Sequence, residues 1–165
     1  MAILSIDLRR SLTNTEITMN FPAPTDAKHV KLMADSFQRL LGYAIAQTVE
    51  NEDLYHAPFA LLSHNAEADP IFNYANAQAL VLFELNWDEL IHLPSRLSAE
   101  PVNQEERARL LAQVTKHGFI DNYQGVRISK TGKRFKISNA IVWNLVDDNG
   151  IYQGQAACFS DWELL

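Results

Sequence analysis

The chain has 165 residues, 47% of them apolar and 21% charged, with a formal charge of −6 and one cysteine. That length fits a single domain able to bury roughly 70% of its unfolded surface, and the negative charge argues against nucleic acid, whose binding needs clustered Lys and Arg. The lone Cys158 excludes an internal disulfide and any multi-cysteine metal knuckle, as suits a reducing compartment.

No apolar run approaches the ~18 residues of a membrane span. MAILSIDLRR places its charges after its apolar residues, a poor secretory signal, so the expected location is cytoplasmic. Leu4, Ile6 and Leu8 alternate with polar residues, as do Ile17, Met19 and Phe21, and FPAPT then breaks the chain. Residues 1–24 therefore read as an arm. Residues 25–56 read as a helical extension: Thr25 is the expected cap, Val30, Met33, Phe37, Leu40 and Leu41 form an apolar stripe, and Gly42 is the stop. A second helical piece is expected from Ala44 to Asp53.

The main domain is expected over 57–165. PFALLSH and IFNY read as short strands around the turn NAEADP, and Asn76 caps a helix carrying Ala79, Leu80, Leu82 and Phe83. NWDE has the form of a capping box, with Asn86 and Glu89 exchanging hydrogen bonds, and Pro94 stops that short helix. The same pattern at Asn103-Gln-Glu-Glu is expected to open a longer helix with Leu110, Leu111 and Val114 inward and Gly118 at its end. FIDNYQGVRIS, KRFKISNAIVWNLV and IYQGQAACFSDW are three long strands. They are separated by turns at Lys130-Thr131-Gly132 and Asp148-Asn149-Gly150, which predicts an antiparallel meander.

Two short strands, small helices, one longer helix and a three-strand meander resemble the PAS sensor fold. YANAQALVLFELNWDEL is similar to its helix-opening asparagine, aromatic and acidic pair. SHNAEADPIFNYAN, LPSRLSAEP and GVRISKTGKRFKI…VWNL resemble the MEKHLA domain family across about residues 30–162, in the form of its short stand-alone bacterial members. In plants that family's domain closes certain homeodomain–leucine-zipper regulators. The resemblance implies an α+β fold: a PAS-like five-stranded antiparallel sheet with helices on one face and an N-terminal helical extension.

On the strand from Lys133, period-two alternation puts Phe135, Ile137, Asn139, Ile141, Trp143 and Leu145 on one face, read as the core face. Asn139 is its misfit. A buried amide must find partners or cost roughly 1–3 kcal/mol, so it bonds either a ligand or backbone from the helical side. The expected pocket lies between this face and the helices after Asn76, with Tyr74, Asn76, Phe83, Trp87, Asn139, Ile141 and Trp143 as candidate ligand-binding residues and Arg96 at its mouth. Arg96 can pair with an anion, or pin its loop through Asp88, Glu89 or Glu100. Arg127 has an intersheet salt bridge as its alternative.

A flavin photosensor of the PAS class resembles a pattern with a reactive cysteine beyond the Asn76 junction, and none stands there; His117, at a frayed helix end, suits haem poorly. His64, Glu67 and Asp69 lie close together but lack the further ligands of a zinc site, and His64 with Asp69 is an acid–base pair without a recognisable nucleophile, so an enzyme of unknown class is the third reading. The expected function is a non-catalytic sensory module that binds a small molecule and signals through a homodimer or a separate output protein. The rival expectation is an oligomerisation module with a filled core, joined through Phe37, Leu40, Leu41, Val142, Gln155 and Phe159.

Overall fold

The computed structural model describes residues 26–165, so the arm at 1–24 and the cap expected at Thr25 lie outside the described residues. Helix α1 (Ala27–Leu41) is capped by Asp26, whose carboxylate accepts the His29 amide at 3.0 Å. It stops at Gly42, which takes φ 84°, a left-handed conformation that costs glycine nothing. The expected second helix shortens to α2 (Asn51–Tyr55), because helix begins only where Glu52 and Asp53 meet the positive end of a first turn.

Strands β1 (Ala60–His64) and β2 (Phe72–Ala75) flank a turn in which Asn65 Oδ1 accepts the amides of Glu67 and Ile71 at 3.2 and 3.0 Å. Asn76 caps α3 (Ala77–Phe83), and the Asn86/Glu89 capping box opens α4 (Trp87–Leu90). A 3₁₀ turn (Ser95–Ser98) leads to α5 (Pro101–His117). This last helix starts two residues before the expected Asn103 cap. Pro101 occupies its first turn, where the missing N–H has no partner to lose, and Gly118 ends it.

Four strands follow: β3 (Phe119–Ile128), β4 (Arg134–Val146), β5 (Tyr152–Phe159) and β6 (Asp161–Leu164). The sheet order is β2-β1-β5-β4-β3, antiparallel throughout, and β6 continues beyond β5 along the far end of β4. The third meander strand is thus two strands bent at Ser160. This is the expected five-stranded antiparallel architecture with one added short strand.

Two bulges correct the face assignment on β4. Between Gly125↔Ile137 and Tyr123↔Ala140, β3 advances two residues while β4 advances three, and Asn139 takes up the excess at φ 53°. Between Tyr123↔Ala140 and Ile120↔Val142 the excess is on β3, where Asn122 takes φ 57°. Period-two counting fails across such a bulge, so the face alternation reverses there. Phe135 and Ile137 share the inner face with Val142 and Asn144, while Ile141 and Trp143 face outward.

The inner face is covered by α3, α4 and α5, and the outer face by α1. Trp143 is fully buried beneath α1. Its Nε1 donates to Met33 O at 3.1 Å, and its ring meets Phe37 edge-on at 4.9 Å. Ser36 Oγ accepts the Val146 amide at 3.1 Å on the same strand. The α1 stripe is thus spent on the chain's own sheet. Phe37, Val142, Gln155 and Phe159, expected at a dimer contact, are all buried within the chain.

Candidate functional site

Between the inner face and the helices lies a cavity of about 50 Å³. Its floor is the sheet, with Leu62 and His64 from β1, Ile137 and Val142 from β4, and Gln155 and Ala157 from β5. Ser98, Arg107 and Leu111 close it from the helical side, and Tyr123 and Arg127 from β3. Phe83 supplies apolar wall and stacks edge-on against Phe135 at 5.2 Å.

Period two on β3 places Tyr123, Gly125 and Arg127 on one face, and the glycine is what lets the other two fold inward. A β-carbon at 125 would stand 2.4 Å from Tyr123 Oη and 2.9 Å from Arg127 Nη1. Across that gap Arg127 Nη2 donates to Tyr123 Oη at 2.7 Å, and the guanidinium lies 5.5 Å from the ring centroid. Arg127 Nη1 donates to Val126 O at 2.8 Å. Among the described residues Arg127 forms no salt bridge, so the intersheet pair weighed for it is not found there.

Arg107 reaches the cavity from α5 and is 9% exposed. Its pKa falls to about 10, first because burial strips water from the charge and second because Arg127 lies near. His64 is pushed below the ordinary imidazole value, mainly by burial, with Arg107 adding to the effect. Its Nδ1 faces Asn65 O at 2.8 Å. A carbonyl only accepts, so Nδ1 carries the proton and Nε2 is a buried lone pair. The Gln155 side chain stands beside Nε2 and, with Asn65 O, partly offsets the lowering. However, its nitrogen donates to Leu111 O, Thr115 Oγ1 and Asn144 Oδ1 at 3.0–3.1 Å, and His64 Nε2 has no hydrogen-bond partner.

Of the eight candidate residues, Phe83 lines this cavity and the other seven do not. Asn76 is fully buried as a structural joint. Its Oδ1 accepts the Leu61 and Ala79 amides, and its Nδ2 donates to Leu54 O and Phe59 O, all within 3.1 Å. Tyr74 packs between His29 and Trp87. Asn139 is exposed and donates to Asp161 Oδ2 at 2.8 Å, while Ile141 and Trp143 face away from the cavity. Arg96 pins its loop to Asp69 at 3.1 Å, a partner outside the three weighed for it. That bond also occupies the carboxylate expected beside His64.

The residues missed were Arg107, Tyr123 and His64 as a wall group. Arg107 carried a legible signal: it stands four and seven residues before Leu111 and Val114, on the helix's apolar stripe. Larger grooves exist elsewhere, including one of about 530 Å³ beside α1. In that groove Lys31 pairs with Asp35 and Arg39 with Asp148 at the surface.

Among solved structures, the chain is similar to the PAS domain of a protein from Colwellia psychrerythraea. The TM-score is 0.57 at 13% identity, over 69% of this chain and 92% of that one. The dark structure of the blue-light photoreceptor Aureochrome1 LOV gives 0.52 at 16% identity, over 69% and 80%. These likenesses show the fold. Over 110 residues the chain is 27% identical to the homeobox-leucine zipper protein HOX29 of Oryza sativa subsp. indica, covering 65% of this chain. The chain spans 12–13% of the length of the curated relatives it matches. A sequence model of the MEKHLA domain matches residues 27–164, and on that extent the chain belongs to the MEKHLA domain family.

Proposed function

We propose that this protein is a non-catalytic sensory module that holds a small molecule between its sheet and helices and passes its state on through contact with another chain. The observation that carries the reading is the cavity itself. It sits in the core of a PAS-like fold, where His64 Nε2 has no hydrogen-bond partner and the buried Arg107 and Arg127 form no ion pair among the described residues. Groups of that kind are costly in an empty core and useful around a guest.

The residues do not fit a flavin or a haem. Ligand pockets of drug size run to roughly 300–1,000 Å³, and this cavity is about 50 Å³. Cys158 pairs with Leu61 and Ile141, away from the cavity wall, and burial raises its thiol to about 12, too high for a ready thiolate. His64 and Asp69 are held by different partners, so no acid–base pair supports catalysis at this point.

Native mass spectrometry of the full chain, purified without dialysis, tests the reading. A retained small mass is expected. A clean apo mass, joined to an unchanged melting temperature across charged and neutral metabolites, overturns it.

A further inference from the structure

Six arginines lie among the described residues, and they divide sharply by burial. Arg39, Arg96, Arg109 and Arg134 are about half exposed or more, and each has a carboxylate: Asp148, Asp69, Glu105 and Glu100 respectively. Arg107 and Arg127 are 9% and 7% exposed, and neither forms an ion pair among the described residues. Surface arginines would be well solvated alone, whereas buried charges need partners. Arg127 meets Val126 O, Tyr123 Oη and the Tyr123 ring, but neither cation has a counter-charge among the described residues, and both line the same cavity.

A third group there asks for something different. His64 Nε2 is a lone pair without a donor. The wall therefore presents two cationic forks and one acceptor. A simple anion satisfies the forks and leaves the histidine unmet, and a neutral alcohol does the reverse. At about 50 Å³ the space takes on the order of three to five water-sized groups.

We infer that the cavity takes a small 2-hydroxycarboxylate of two or three carbons. Its carboxylate lies against Arg107 and Arg127, and its hydroxyl donates to His64 Nε2. Planar guanidinium forks match a planar carboxylate, which favours this class over a tetrahedral oxyanion. The inference rests on the reading of the cavity as a small-molecule site and adds the class of molecule.

The test uses the full chain in chloride-free, low-salt buffer. Glycolate and lactate are titrated by differential scanning fluorimetry and calorimetry, beside acetate, inorganic phosphate and the neutral glycolamide. Glycolate or lactate should bind saturably, raising the melting temperature by about 5–10 °C at one hundred times its Kd. Acetate should bind at least about tenfold more weakly, for want of the donor hydrogen. Arg107→Lys, which keeps the charge and loses the fork, should cost about tenfold or more in affinity while the circular dichroism spectrum is unchanged. Should that variant not fold, Arg127→Lys gives the same comparison.

Glycolamide binding as well as glycolate, phosphate binding more tightly than any carboxylate, or wild-type affinity in both lysine variants would each overturn the inference. Binding of neutral molecules alone removes the carboxylate and leaves the sensory reading standing. Silence in every arm together with a clean native mass removes both.

Discussion

Replacing Arg107 with methionine keeps an unbranched side chain of similar reach and deletes the charge. In most proteins, removing a buried arginine breaks hydrogen bonds and destabilises; here the opposite sign is expected. A guanidinium whose pKa is lowered by burial to about 10 is held charged at a cost of about 3 kcal/mol relative to water. No ion pair among the described residues offsets that cost. Allowing for the lost attraction to Tyr123, Arg107→Met should gain about 1–3 kcal/mol, in the range seen when buried charges give way to apolar groups. For a chain of this size that raises the melting temperature by about 3–10 °C. Urea unfolding at pH 7.5 reads the change directly, as a higher midpoint at constant slope. The same variant should gain nothing from glycolate, so that the stabilities of saturated wild type and Arg107→Met converge. A variant less stable than wild type in plain buffer would show that the guanidinium already has its counter-charge, and the case for an anion would fail with it.

Asn76→Ala strands two buried amides and two carbonyls at once and should cost more than about 3 kcal/mol in urea unfolding; a loss below 1 kcal/mol would refute its role as a joint. Gly154 has φ 128°, and a β-carbon there would stand 2.0 Å from the His64 carbonyl oxygen, so Gly154→Ala should leave little folded protein by gel filtration and circular dichroism. His29 and His64 are both held below 6.5 by burial, so the unfolded chain binds protons that the folded chain refuses. Stability should be full above pH 6.5 and fall as the pH drops through that value towards the depressed folded ones. Equal urea midpoints at pH 7.5 and 5.5 would contradict this. Hydrogen exchange in α1 should slow when glycolate binds, because α1 is bonded to β4 through Met33 and Ser36 while the opposite side of β4 walls the cavity; indifference of those amides would exclude β4 as the route.

The elements were largely legible because each carries its own local chemistry. Asn76 and Asn86 are caps, Gly42 and Gly118 are stops, and the strands alternate cleanly up to the bulges. The site was harder to read for two physical reasons. A bulge is a backbone event at an asparagine that tolerates positive φ, and nothing in SNAIVWN announces that alternation reverses there. Asn139 therefore reads as a buried amide when it is an exposed corner, and Trp143 reads as a pocket wall when it is the seat of α1. Arginine, for its part, reads as surface by default, so the position of Arg107 on the Leu111–Val114 stripe passes as a boundary residue. The two errors reinforce one another. The first puts the wrong aromatics on the cavity side, and the second hides the charges that belong there.

The treatment of buried polar groups elsewhere in the fold sharpens what is unusual about the cavity. Asn76 is satisfied four times over by backbone. Asn144 donates to Val114 O and Thr115 O, and Gln155 ties the same strand pair to α5. Away from the cavity, the unpartnered buried side-chain atoms among the described residues are the hydroxyls of Tyr74 and Ser95, neutral groups whose desolvation costs far less than a charge. A domain whose whole stability is about 5–15 kcal/mol can ill absorb a penalty of about 3 kcal/mol placed at random. An apolar residue at position 107 would remove it and leave the side-chain hydrogen bonds of Gln104, Arg109 and Thr115 on α5 intact. That the uncompensated cations and the room for a small guest coincide in one place is therefore the physical ground for assigning them a ligand.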